Sequence, residues 1–356
     1  MKRDAFTLVE VLVATAIVVV LALLLAVITH QTAEGENLAR ASADEFRTAQ
    51  FAFEAITQQL SRATLNSQRE FRMESKVPRG FEFKSDLRFV SGPMQAGRAP
   101  LDGADGSAGE FAAKRPGHGV FFQALLGHAG DGGGPELPGR RQLLSTWGYF
   151  VEVGEDRLAP PPFLAQQPSQ VAPRLIELRE PAEHMRVYAF TGRDPAYRGF
   201  DWFQAALTER TFLRTVSPNI AVLLLRPKVP DVVSERIAPG LDRASRDALL
   251  APECYYTSAE DPKIVGHPEL RTRHRLPPLI EVTMVALNDS TVSRLYRANN
   301  LDPFSLDGQF LDASRLERDL YLDPANAEND SLERRLISMR ARYRIFTTTV
   351  ALRASQ

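Results

Sequence analysis

The chain has a single cysteine in 356 residues, Cys254, so no disulfide can form within it whichever compartment it occupies. Between Glu253 and the pair Tyr255-Tyr256, that thiol reads as a small buried hydrophobe. An excess of one charge is missing too: 43 Lys and Arg stand against 44 Asp and Glu, and a net charge of -1 gives no electrostatic case for nucleic acid as principal partner. Catalytic signatures are absent. No G-x-S-x-G, H-E-x-x-H, Walker loop or G-x-G-x-x-G occurs, and the nearest glycine cluster, Gly103, Gly106 and Gly109, has three-residue spacing and no helix pattern after it. The six histidines are dispersed, and His267 with His274 has neither ligand spacing nor a nearby cysteine pair, so both read as surface or hydrogen-bonded residues. Asp102 and Asp105 lack the D-x-D-x-D-G order of a calcium loop and read as part of a solvated loop. These absences exclude a recognisable enzyme; no cofactor, metal or small-molecule substrate is expected. No internal repeat is found.

What is present is one long apolar run at the start. Lys2 and Arg3 precede Phe6-Thr7-Leu8-Val9-Glu10, and Val11 to Ile28 carries no charge. As a helix, Phe6 to Ile28 would span roughly 35 Å, enough for a hydrocarbon core of ~30 Å. The run is longer than the apolar region of a secretory signal peptide, and no A-x-A stands at its end, immediately before Thr29. An uncleaved signal anchor accounts for the length and the basic flank but gives Glu10 no purpose. A carboxylate near the bilayer centre costs ~2.5–3.5 kcal/mol, so an ionisable residue in such a helix reads as functional. The basic flank places the N-terminus in the cytoplasm and the chain after Thr29 in the periplasm, as a single-pass inner-membrane protein.

The residues Phe6-Thr7-Leu8-Val9-Glu10 behind a short basic leader resemble the class III signal of type IV pilins and pseudopilins. The resemblance implies cleavage between Ala5 and Phe6 by a prepilin peptidase and N-methylation of Phe6. It also implies that Glu10 is the assembly carboxylate, paired with the N-terminal amine of a neighbouring subunit. Ala5 stands where that family prefers glycine, and Asp4 adds an acid to a leader that is usually basic.

From Thr29 to Ser67 no proline occurs; Phe46, Phe53 and Leu60 recur every seven residues, with Ala49, Ile56 and Ala63 between them. This is an amphipathic helix whose narrow stripe is expected to pack on the chain's own domain. Gly35 is its weak point. Beyond it the pattern changes to strands. Phe81 to Val90, the island Val120 to Leu126, Trp147 to Val153 and Arg186 to Phe190 read as strands, and Ile220 to Leu225 as a fully buried central strand ended by Pro227 and Pro230. Leu279 to Leu287 and Tyr343 to Leu352 close the sheet, and Asp201 to Leu213, Thr291 to Ala298 and Ser331 to Met339 have helical spacing. Gly92 to Gly139 reads as loops around the island. Arg271, Arg273 and Arg275, and likewise Arg340, Arg342 and Arg344, alternate as on one strand face, which is read as solvated, with docking of an acidic partner or anionic polymer as the sharper alternative.

The helix segment QFAFEAITQQLSRAT and the strands after it resemble minor pseudopilins of the J type from type II secretion systems. FEAITQQLSRATLN, LRFVSG, VFFQALLG, WGYFVEVG, LPPLIEVTMVAL and YRIFTTTVALR are similar to the family called Verru_Chthon cassette protein C. The expected fold is α+β and pilin-like: a long N-terminal helix, part transmembrane and part amphipathic, packed on a mainly antiparallel sheet with long loops. The expected layout is a leader at 1–5, a transmembrane helix at 6–29, its amphipathic periplasmic continuation at 30–67 and a β-rich globular domain at 68–356. The expected function is that of a non-catalytic minor subunit of a type IV pilus or a type II secretion-like filament. Its partners would be the prepilin peptidase, other pilin-like subunits and the membrane. The alternative is a membrane-tethered periplasmic domain that binds a secreted substrate or glycan. The orientation is testable: a reporter fused after Gln356 should be active only if it requires export, and activity of a cytoplasmic reporter there would refute the topology.

Overall fold

A computed structural model describes residues 12, 15, 17–19, 21, 22, 25, 46–74, 77–94, 114–127, 143–154, 171–188, 201–261, 266–296, 303–306, 308–324, 326 and 329–352. Ala5, Phe6, Glu10, Gly35, Asp102 and Asp105 lie outside the described residues. The chain divides into two units, Met1–Thr48 and Ala49–Gln356. In the first, Leu12, Thr15, Ile17, Val18, Val19, Leu21, Ala22 and Leu25 are helical, and every one of them is exposed. The Thr15 hydroxyl folds back to donate to the Leu12 carbonyl (3.0 Å), so the one polar group among them is satisfied by its own helix. No helix formed by the described residues is long and apolar enough to cross a membrane.

Helix α1 runs from Arg47 to Leu60. Ala49, Ala52, Phe53, Ile56 and Leu60 are buried, the i, i+3, i+4 stripe that the seven-residue recurrence implies, and Ala63 beyond the helix is buried with them. The Phe53 ring meets Phe346 at 5.7 Å, and Ala63 bridges Ala124, which ties the end of α1 to two different sheets. The helix stops where Arg62 donates three residues back to Gln59.

The described strands are all antiparallel but form three sheets rather than one. Strands β1 (Gln68–Glu74) and β2 (Val77–Lys84) make a hairpin by themselves. A six-stranded sheet uses β3 (Val90–Pro93), β4 (His118–Leu125), β5 (Leu144–Gly154), β6 (Ala172–Glu180), β7 (Leu213–Pro218) and β9 (Tyr256–Thr257), in the order β7-β6-β5-β4-β3-β9. A three-stranded sheet has the order β11-β10-β8, from β8 (Ile220–Lys228), β10 (Leu279–Leu287) and β11 (Tyr343–Ala351). Helices α2 (Asp201–Glu209), α3 (Asp231–Ile237), α4 (Arg243–Asp247), α5 (Asp289–Leu295), α6 (Leu316–Leu320) and α7 (Leu332–Ser338) surround them.

Three expectations from the sequence are corrected. Phe81 to Val90 is not one strand: β2 ends at Lys84, and the Ser85 hydroxyl accepts from the Leu87 amide (3.0 Å) and turns the chain towards β3. Arg186 to Tyr188 is a short 3-10 turn, and the strand of that region lies earlier, at β6. Its core positions include Arg174 and Glu177, which hide its apolar pattern. Ile220 to Leu225 is buried throughout, yet β8 pairs only with β10. Its burial comes from β4, β5 and β6 of the other sheet lying against it. Pro227 sits inside β8 without ending it, as proline can where one edge of a strand has no ladder.

Each sheet face has its own core. On the six-stranded sheet the Phe121 ring stacks on Phe203 of α2 at 3.8 Å and meets Trp202 edge-on at 6.5 Å. On the three-stranded sheet Val222, Leu224, Val285 and Leu287 pack with Val292, Phe310, Leu316 and Leu332. The two sheets touch where β4 begins. Gly117, at φ +76°, bridges Leu223 in parallel, and a Cβ there would lie 2.4 Å from the Val222 methyl and 2.5 Å from the Leu223 oxygen. Next to it His118 is buried: its Nδ1 accepts from the Leu225 amide (2.8 Å) and its Nε2 donates to the Phe310 carbonyl (2.7 Å).

Burial lowers the His118 pKa to about 4, against the opposing pull of the Phe310 and Leu225 carbonyls, 2.7 and 3.0 Å from its ring nitrogens. The folded value lies below the ordinary ~6.5, so the unfolded chain takes up the proton first. His118 therefore contributes its full stability above about pH 6.5 and loses it as pH falls towards 4, an effect on the order of 3 kcal/mol. Replacement by leucine should lower the denaturant midpoint at pH 7, because two backbone groups lose partners at ~1–3 kcal/mol each. It should also flatten the decline of that midpoint between pH 7 and 5, and an unchanged decline would refute the assignment.

Candidate functional site

Buried charge is the first place to look for chemistry, and the described residues form three such clusters. Cross-strand pairing of β8 with β10 sets Arg226 opposite Glu281, and the Arg226 Nη2 reaches both Glu281 oxygens (2.8 and 2.9 Å) and Glu317 (2.9 Å). Lys228 lies 3.5 Å from Glu281 and 3.6 Å from Asp247, which is itself 3.5 Å from Arg226. Burial works against the Arg226 charge, but the three carboxylates outweigh it and raise its pKa. In the second cluster, Glu152 receives both Nη atoms of Arg210 (2.8 and 3.2 Å) and Arg115 (3.2 Å). Burial alone would raise the Glu152 pKa; the two arginines lower it. In the third, the Tyr149 hydroxyl donates to Glu177 (2.6 Å), contacts the Gln59 side chain of α1, and shares Glu177 with Arg214. Burial, then Glu177, pushes that phenol well above its ordinary pKa.

In all three clusters charge is matched by charge across elements, and none of these side chains lines the clefts described next. They are fasteners: α4 and α6 onto the three-stranded sheet, and α1 onto the six-stranded one. Glu180 differs, since burial raises its pKa to about 7 against Arg186, whose Nε is 3.7 Å away. Cys254 is fully buried and its thiol is held protonated. Among the described residues no three His, Cys, Asp or Glu side chains converge as a metal site.

An opening of about 650 Å³ lies between β2 and the segment Arg271–Arg275. The consecutive residues Phe81 to Asp86 form one wall, and Arg271, Arg273, His274 and Arg275 the other. A smaller, more apolar cleft of about 270 Å³ adjoins it and shares Phe83, Arg271, His274 and Arg275. Asp261 builds the second wall: its Oδ1 accepts from the amides of Thr272 and Arg273, both at 3.0 Å. The His274 amide is held by the Ser258 carbonyl at 2.8 Å. The His274 ring then crosses the floor, where Nδ1 accepts from the Ser85 amide (3.2 Å). Burial first, then Arg88 and Arg273, lowers the His274 pKa, so the ring is a neutral strut. Phe83 is held between two guanidinium groups, Arg69 at 5.6 Å and Arg275 at 5.2 Å.

The sequence-predicted residues fall unevenly on this geometry. Arg271, Arg273 and Arg275 do share one site, but the segment is irregular rather than a strand, since Asp261 and Ser258 use its amides. Arg340 closes α7, and Arg344 lies over the Phe346 ring at 5.2 Å on β11, so the second arginine triplet is not a single face. The opposite wall of the cleft, from Phe81 to Arg88, escaped the sequence reading. The one available signal was the alternation Phe81-Glu82-Phe83-Lys84, which reads as an ordinary strand.

Comparison with known proteins bears on the other end of the chain. Residues 1–26 match the family model of the prokaryotic N-terminal methylation motif. The match supports a pilin-like protein. It spans Met1 to Ala5, Phe6, Glu10 and most of the apolar run, and so points to a structural subunit that is consistent with prepilin peptidase processing. No curated protein and no solved structure matches the chain.

The fastener reading of the buried charges can be measured. Arg226→Ala leaves Asp247 and Glu281 without their central cation and should cost ~3–5 kcal/mol in chemical denaturation. Arg236→Ala removes an exposed pair with Glu269 and should cost less than about 1 kcal/mol. Equal effects would mean that the buried cluster is not structural.

Proposed function

We propose that the chain is a minor pilin- or pseudopilin-like subunit of a type IV pilus or a type II secretion-like filament, with no catalytic role of its own. The methylation motif matched over residues 1–26 carries this reading. In it, prepilin peptidase cuts between Ala5 and Phe6 and Phe6 is N-methylated. Residues 6–29 hold the subunit in the inner membrane, 30–67 continue the helix into the periplasm, and 68–356 form the periplasmic domain. Glu10 is the one charged side chain between Phe6 and Thr29; pairing with a neighbour's N-terminal amine offsets its membrane cost and sets the axial register of assembly. The matched charges of the domain support a structural rather than a chemical task.

A tethered periplasmic binder is the second reading, favoured by the cleft beside β2. Two measurements separate them. Protein purified from membranes should begin at N-methylated Phe6, and Ala5→Gly should speed the cut; an intact Met1 start in a host with active prepilin peptidase refutes processing. Glu10→Ala should leave membrane insertion intact or improved while abolishing crosslinks to other pilin-like subunits and complementation of a deletion strain. Full complementation by Glu10→Ala would put the binder first.

A further inference from the structure

Among the described residues the β1–β2 hairpin is a two-stranded sheet without a third strand, and β2 has a ladder on one side only. Isolated hairpins are marginal in water, and this one leaves Phe71 (62%), Val77 (56%) and Phe81 (71%) exposed. Its open side faces the cleft. The Ser85 amide points across to His274, and because amide direction alternates along a strand, the N–H and C=O groups of Phe83 and Phe81 face the same way. Phe81 to Asp86 line the wall in unbroken sequence, and Phe81 to Lys84, the end of β2, supply an open strand edge of roughly 13 Å.

The facing wall supplies charge. Of the carboxylates around the cleft, Glu70 is paired with Lys84 (3.3 Å), and Asp261, whose Oδ1 accepts from two backbone amides, keeps its charge alongside Glu82 and Asp86. Against these stand Arg88, Arg271, Arg273 and Arg275. Arg88 donates to the carbonyls of Ser85 and Leu87, and Arg275 to that of Pro268, so neither is neutralised. Arg271 and Arg273 are exposed, and no described residue accepts from their guanidinium groups.

We propose that this cleft is a strand-addition site for an extended, acidic segment of another polypeptide. The segment lies antiparallel or parallel to β2 as the third strand of the hairpin, exchanges main-chain hydrogen bonds with Phe81 and Phe83, and places carboxylates on Arg271 and Arg273. A polypeptide fits better than an anionic polysaccharide because the open edge presents donors and acceptors at strand spacing, which a sugar chain does not match. The site goes beyond the subunit reading above and stands whether or not the chain enters a filament.

The probe is a fluorescein-labelled ten-residue peptide alternating threonine and glutamate, titrated with the full chain in detergent micelles and read by fluorescence anisotropy. Saturable binding is expected, at least tenfold weaker for the Arg271→Gln, Arg273→Gln double variant and for the threonine–lysine peptide. Both arginines are exposed, so the variant should keep the parent's thermal midpoint. A threonine–glutamate peptide with alternate backbone nitrogens methylated keeps its charge but cannot join a ladder, and should also bind at least tenfold more weakly. Equal binding of the methylated peptide would overturn strand addition. So would tighter binding of polygalacturonate than of the parent peptide, or no saturable binding of the parent.

Discussion

The domain depends on how closely its two main sheets approach at Gly117 and His118. A side chain at Gly117 would strike both Val222 and the Leu223 carbonyl, so only glycine lets β4 start in contact with β8. His118 then fixes that contact with one accepted and one donated hydrogen bond, and in doing so also fastens the loop at Phe310. Because β8 has no ladder partner on that side, its burial against β4, β5 and β6 replaces what a neighbouring strand would have supplied. The aromatic core under α2 and the aliphatic core under α5, α6 and α7 are thereby held as parts of one folding unit.

Much of this was legible in the sequence where one period dominated. Leu279 to Leu287 became β10 residue for residue, and the seven-residue stripe of α1 is buried as its spacing implies. The failures share a cause. β6 went unread because Arg174 and Glu177 occupy core positions, and their burial is tolerable only beside Gly154, Tyr149 and Arg214, which other strands bring to them. The division into three sheets was likewise invisible, since local alternation says that a strand exists and nothing about which strand it joins. The cleft was half legible. Three alternating arginines could be noticed, but their facing wall is set by His274 reaching Ser85 across 189 residues of sequence.

The N-terminal motif and the domain hold different kinds of information. Residues 1–26 match a recognised motif, and so carry their information in the order of residues along the chain. In the domain, specificity lies in placement: the described cavities avoid the buried ion clusters and gather around the hairpin base, where backbone groups and unneutralised arginines meet.

The Phe53–Phe346 contact joins the first helix of the domain to the last of its described strands. Nearly the whole domain must therefore be synthesised before α1, which Ala124 and Tyr149 meet earlier, gains its last cover, so this part of the core cannot mature while the chain is still emerging. Until β11 arrives, β10 has an open edge and the apolar stripe of α1 lacks part of its cover. Late closure of this kind keeps a nascent chain loose enough to be threaded through a narrow pore. It also makes any chain clipped before Tyr343 an early target for proteases.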